Sequence, residues 1–236
     1  MLSIRNLKKT YGDFTAVKGI SLEVRPGDIY GFIGHNGAGK TTTIRCAVGV
    51  LDFDEGDILI DGVSIKSDPM ACKKKLAYIP DNPDIYGSLT GIKYINFIAD
   101  IYGVPKAERE KSIAHYAELF EMTGNLGDKI SSYSHGMKQK IVIIAALVHS
   151  PRLLILDEPF VGLDPKAAFT VKNELKAICE RGGAVFFSTH VLEVAEKICN
   201  KIAIIKDGEI ITAGETADVK GNETLEEIFL ELTENE

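Results

Sequence analysis

The sequence predicts an α/β protein in which a first part that mixes strands with a helix is followed by an inserted block of helices and then by parallel strands. Three observations carry this. Short apolar segments bounded by turn signals fill the first part of the chain, and apolar residues recur at helical spacing between Ser88 and Val148. Beyond Pro151, solid apolar runs resume, the mark of strands covered on both faces. With 236 residues, 45% of them hydrophobic, the chain can bury a full core.

Residues 2–7, 19–24 and 29–33 read as strands, with Arg25-Pro26-Gly27-Asp28 as a turn, and the pattern turns helical over 41–50. Residues 57–60 followed by Asp61-Gly62 read as a strand and tight turn. In the insert, Ile92/Ile95/Ala99/Tyr102, Ile113/Tyr116/Ala117/Phe120 and Ile141/Ile144/Ala145/Val148 each fall on one helical face. Residues 153–156 and 184–187 are parallel strands flanking a helix over 165–180; 201–212 form a hairpin around Asp207-Gly208. Thr224-Leu225-Glu226-Glu227 is a capping box opening an acidic helix. The expected organisation is one domain over 1–236. Residues 1–83 and 151–215 form its α/β core, 84–150 a helical subdomain, and 216–236 a short C-terminal helix.

The formal net charge of −7 gives no electrostatic reason to expect a nucleic-acid partner. Cys46, Cys72, Cys179 and Cys199 are widely spaced without a CxxC pair, pointing to reduced thiols rather than zinc or disulfides. The longest apolar run, 141–148, is far short of the roughly 20 residues that span a bilayer. The N-terminus, Met1-Leu2-Ser3-Ile4-Arg5-Asn6, alternates like a strand rather than a signal peptide, so a cytoplasmic location is expected.

Gly34-His35-Asn36-Gly37-Ala38-Gly39-Lys40-Thr41 matches G-x-x-x-x-G-K-[ST] between an expected strand and helix. The glycines let backbone N–H groups close around phosphate oxygens, and the helix N-terminus adds positive partial charge. Lys40 reaches the outer phosphates and the Thr41 hydroxyl suits Mg²⁺, with Thr42 next in the same turn. Nucleotide binding follows, although the loop alone leaves kinases, GTPases and motor ATPases open. The run 153–156 then ends in Asp157-Glu158, at the strand end where open α/β sheets bind ligands. Asp157 is expected to hold the magnesium and Glu158 to act as general base on the attacking water. A guanine-reading Asn-Lys-x-Asp is absent, since Asn200-Lys201 continues Ile202-Ala203, which speaks against a GTPase.

Tyr133-Ser134-His135-Gly136-Met137-Lys138-Gln139-Lys140 resembles the ATP-binding cassette (ABC) signature, usually written LSGGQ, and the resemblance extends from about Leu2 to Gly214. It implies a P-loop ATPase core with an N-terminal antiparallel β subdomain and an inserted α-helical subdomain, and Tyr11 stacking on adenine, Phe14 being a less likely substitute. It further implies Asp164 in a loop between paired ATPases, and His190 as a switch residue on the γ-phosphate. Two cassettes would pair head to tail, Lys40, Thr41, Asp157, Glu158 and His190 of one facing Ser134, His135, Gly136 and Met137 of the other across ATP. The family partner is an integral membrane permease on a separate chain, which would place the protein at the inner face of the cell membrane.

The chain departs from the family pattern in two places. Asp81, in Tyr78-Ile79-Pro80-Asp81-Asn82-Pro83, stands where the family has Gln, and reads either as a magnesium-side acid or as a turn acid. His135 and Met137 replace Gly and Gln, leaving homodimer and heterodimer both open. The signature form Tyr-Ser-x-Gly-Met resembles bacterial exporter-type cassettes, so export is favoured. The alternative is a soluble cassette ATPase acting on ribosomes or DNA, but neither the second phosphate loop nor the long coiled coils of those relatives occur here.

Overall fold

The computed structural model describes residues 1–234, with side chains through Leu232. The chain runs β1 (Leu2–Tyr11), β2 (Phe14–Val24), β3 (Ile29–Ile33), α1 (Lys40–Ala47), β4 (Glu55–Ile60), β5 (Val63–Ser64), α2 (Pro69–Lys73) and β6 (Leu76–Ile79). The helices α3 (Gly91–Ile101), α4 (Lys106–Leu119) and α5 (His135–Leu147) follow. Then come β7 (Leu153–Asp157), α6 (Pro165–Glu180), β8 (Ala184–Thr189), α7 (Leu192–Ile198), β9 (Lys201–Lys206), β10 (Glu209–Glu215), α8 (Thr216–Lys220) and α9 (Leu225–Glu234).

Two sheets divide these strands. β2-β1-β4-β5 is antiparallel; β10-β9-β3-β8-β7-β6 is parallel except for its β9-β10 hairpin. Every residue of β3, β7 and β8 is buried, which explains their unbroken apolar runs. One face of the parallel sheet packs with the antiparallel sheet and α1; the other packs with the inserted helices, α6 and α7. Helical spacing in the insert is realised as packing: Ile95, Ala99, Ile113, Ala117 and 141–148 are all buried. Ser134 caps α5 by accepting from the Met137 N–H, and Thr224 and Glu227 bond reciprocally as the capping box requires.

The structure corrects the sequence reading in three places. β1 continues to Tyr11 and β2 begins at Phe14, well beyond the expected boundaries at 7 and 19. Asn6 sits at φ 47 and the β1-β2 register shifts repeatedly, so the period-2 pattern breaks while the pairing goes on. A short helix, α2, precedes β6, capped by the Asp68 carboxylate with Pro69 at its start. The C-terminal region holds two helices, α8 and α9, rather than one.

Candidate functional site

The phosphate loop joins β3 to α1, and its bends demand glycine. Gly39 has φ 105, and a Cβ there would meet the Ala16 carbonyl oxygen at 2.6 Å. A Cβ on Gly34 would lie 2.5 Å from the Ile205 carbonyl oxygen. The loop opens onto a concavity of about 410 Å³ lined by Tyr11, Phe14, Asn36, Gly37, Gly39, Lys40, Thr41, Thr42, Asp81 and Glu158. Tyr11 and Phe14 face each other in register across the β1-β2 turn. His35 is exposed, its Nδ1 2.7 Å from the Asn36 carbonyl; Ala38 is buried.

Beneath this loop the ends of β7 and β8 lie side by side, Asp157 opposite Ser188. The Ser188 hydroxyl donates to Asp157 Oδ1 at 2.5 Å and accepts the Glu158 N–H at 3.1 Å. Thr41 also hydrogen-bonds Asp157. Burial pushes the Asp157 carboxyl up, aided by the Asp81 and Glu158 charges, while the Ser188 and Thr41 hydrogen bonds pull it down. Asp157 Oδ2 is sealed from solvent without a hydrogen-bond partner. A buried carboxylate oxygen with a free acceptor face beside a threonine hydroxyl is a donor set that suits Mg²⁺. Asp81 lies on the wall of the same concavity, exposed, its carboxylate accepting from the N–H of the next residue, Asn82, at 2.8 Å.

Glu158 adopts φ 47, a left-handed conformation that turns it off the strand path. Its Oε1 lies 3.5 Å from Lys40 Nζ; its Oε2 lies 3.0 Å from His190 Nδ1 and accepts from the His190 N–H at 3.4 Å. Lys40 Nζ also donates to the Gly34 and His35 carbonyls at 2.6 and 3.1 Å. One carboxylate, one ammonium and one imidazole are thus gathered at the ends of three adjacent strands. Ser188 is the site residue that the sequence reading passed over. Its signal was present in Phe187-Ser188-Thr189-His190, where a polar residue ends an apolar run two places before the candidate switch histidine.

The signature residues stand apart from this concavity. Ser134 and His135 are exposed at the start of α5, Gly136 is half-buried, and the Met137 side chain packs into the helical core rather than outward. Asp164 caps α6 through the Ala167 N–H at 2.8 Å and pairs with Lys140 Nζ at 3.0 Å. These two contacts, the Ala167 bond first, hold its carboxyl below the usual range. Among the described residues no helix is long and apolar enough to cross a membrane.

A family model described as ABC transporter matches residues 17–161. The Linearmycin resistance ATP-binding protein LnrL of Bacillus subtilis is 38% identical over 219 residues, spanning 93% of this chain and 70% of the relative. The ABC-type transporter ATP-binding protein EcsA of Bacillus subtilis is 34% identical over 241 residues, spanning 100% and 98%. A solved ATP-binding subunit of an ABC transporter superposes with a TM-score of 0.95 at 31% identity, over 99% of both chains. A dimeric cassette in a post-hydrolysis state bound to ADP and Pi shares the fold, with a TM-score of 0.83 at 23% identity over 92% of this chain and 99% of that one.

Proposed function

The chain belongs to the ABC transporter family as an ATP-binding subunit with ATPase activity, and from that premise we propose that it drives export through a separate membrane permease by ATP-dependent pairing of cassettes. The observation that carries the catalytic part is the convergence of Lys40, Thr41, Asp157, Glu158 and His190 at the ends of β3, β7 and β8. Thr41 and Asp157 would hold Mg²⁺, which supplies positive charge to the phosphates when bound. Lys40 exchanges its own loop's carbonyls for phosphate oxygens. Glu158 orients water and takes its proton, and His190 fixes the Glu158 carboxylate from the far side. Tyr11 supports the adenine. Ser134 and Gly136, at a helix N-terminus away from the Glu158 site, are presented to the ATP of a second cassette, identical or different.

The permease reading is supported by exposed apolar surface around α2 and the end of α3. Val50, Met70 and Ile101, each more than half exposed, rim a concavity of about 390 Å³ with Tyr78 and Tyr102. Tyr86 meets Phe97 of α3 edge to face, and both remain exposed. A cytoplasmic segment of the permease is the proposed occupant, which holds this subunit at the inner face of the membrane. Export is favoured by the Tyr-Ser-x-Gly-Met form of the signature and by similarity to a relative named for linearmycin resistance.

Glu158→Gln tests the catalytic reading: hydrolysis should fall by orders of magnitude while ATP binding persists and a closed dimer accumulates. Unchanged turnover removes Glu158 from the base role. Affinity purification from detergent-solubilised membranes should recover a multi-span protein; recovery of ribosomes instead would end the transporter reading.

A further inference from the structure

The start of α5 and the loop leaving Glu158 touch within the same chain. The His135 imidazole lies over Gly162, where a Cβ would come within 2.5 Å of His135 Cδ2 and 2.9 Å of Nε2. Gly162 also has φ 78, so the backbone and the ring both select glycine there. From the other side, a Cβ on Gly136 would lie 3.0 Å from the Gly162 carbonyl oxygen, so the two backbones are nearly in van der Waals contact. One turn further along α5, Lys140, with 14% of its side chain exposed, pairs with Asp164 at the end of the same loop. The segment from Glu158 to Asp164 is therefore tied to α5 at its middle and at its far end. Its near end carries the carboxylate that faces Lys40 and His190.

We propose that His135 is a positioning residue whose ring, seated on Gly162 beside the Lys140–Asp164 pair, sets the placement of Ser134 and Gly136 according to the conformation of this subunit's own Glu158 loop. The proposal rests on the head-to-tail pairing described above. Within that pairing it gives each cassette a built-in link: the loop beside one ATP holds the signature face offered to the other. A glycine at position 135, as in the usual signature, has no side chain with which to make this contact.

The test uses the full chain carrying Glu158→Gln, so that hydrolysis does not reopen the pair. ATP-dependent dimerisation is followed by sedimentation, and ATP affinity of the monomer by a fluorescent ATP analogue. His135→Ala should weaken ATP-dependent dimerisation roughly tenfold while monomer affinity changes less than about twofold. His135→Phe, which restores a flat ring on Gly162, should recover most of the loss, an outcome that general damage to the helix does not produce. Gly162→Ala, whose left-handed backbone is strained in either background, should weaken dimerisation more beside His135 than beside His135→Ala, because residues in contact are not additive. Parental dimerisation in His135→Ala, or additive effects of the two substitutions, overturns the proposal. Failure of the Glu158→Gln chain itself to dimerise with ATP is a different result: it overturns the pairing reading and this proposal with it.

Discussion

Ser188→Ala removes a single hydroxyl from a fully buried position and isolates what holds Asp157 in place. That hydroxyl donates to Asp157 Oδ1 and accepts the Glu158 N–H, and Asp157 Oδ2 has no partner to compensate. A hydrogen bond to a charged group contributes about 1.5–3 kcal/mol and a neutral one about 0.5–1.5 kcal/mol. With the Thr41 contact surviving, the expected loss is about 2–4 kcal/mol, or roughly 5–15 °C in Tm for a chain of this size. Calorimetry without nucleotide or Mg²⁺ measures it. The loss has a defined pH dependence. Burial already raises the Asp157 carboxyl above its ordinary range, so the folded state is penalised when this group is charged and relieved as pH falls. Removing a hydrogen bond that favours the charged form deepens the penalty, so the gap between the two proteins should narrow on acidification. In an Asp157→Asn background, with no charge to stabilise, Ser188→Ala should cost less. A Tm change below about 2 °C, or an equal cost in both backgrounds, refutes the reasoning.

Two further outcomes are expected. Tyr11→Ala should raise the KM for ATP roughly tenfold, the effect of about 1–3 kcal/mol of base stacking, and Phe14→Ala should raise it less; the reverse order moves the stacking role to Phe14. His149 stacks on Tyr102 with ring centroids 3.6 Å apart, and burial lowers its pKa from 6.5 to about 4. Neutral in the fold and titrating near 6.5 when unfolded, it costs nothing above that pH and removes up to about 3 kcal/mol of stability as pH falls toward 4. His149→Phe keeps a flat ring on Tyr102, and its Tm should drop less than the parent's between pH 7 and 4.5; parallel curves would exclude His149 as a source of acid lability.

The parts of this architecture most legible in the sequence are those where local chemistry and tertiary role coincide. The phosphate loop is visible because its bends require glycine at Gly34 and Gly39, and the helix over α5 because Ser134 caps an apolar run. The hairpin near Tyr11 was harder to bound: a left-handed Asn6 and shifting register erase alternation where the strand continues. The role of Ser188 was harder still. Locally Ser188 is marked only as a polar residue that ends an apolar run, and only the pairing of β7 with β8 sets it opposite Asp157. The contact between His135 and Gly162 joins residues on different elements, and no spacing rule anticipates it.

The solid apolar runs also concealed an alternation that decides how the acids are divided. Leu153 and Ile155 of β7, Ala184 and Phe186 of β8, and Tyr30 and Phe32 of β3 all belong to the face covered by α1 and the antiparallel sheet. Leu154 and Leu156, Val185 and Phe187, and Ile29 and Ile33 face the inserted helices and α6. With both faces apolar, hydropathy does not separate them, yet side chains still alternate with period 2. Continuing that parity, Asp157 and Ser188 fall on the α1 face, where Thr41 sits, while Glu158 departs from the strand through its left-handed backbone toward Lys40 and His190. A shift of one residue in β7 would send Asp157 to the helical face and move the apolar side chains with it. The order of the two acids therefore follows from which face α1 covers: the first acid is placed for the metal by strand parity, and the second is free for the water only because the strand has ended.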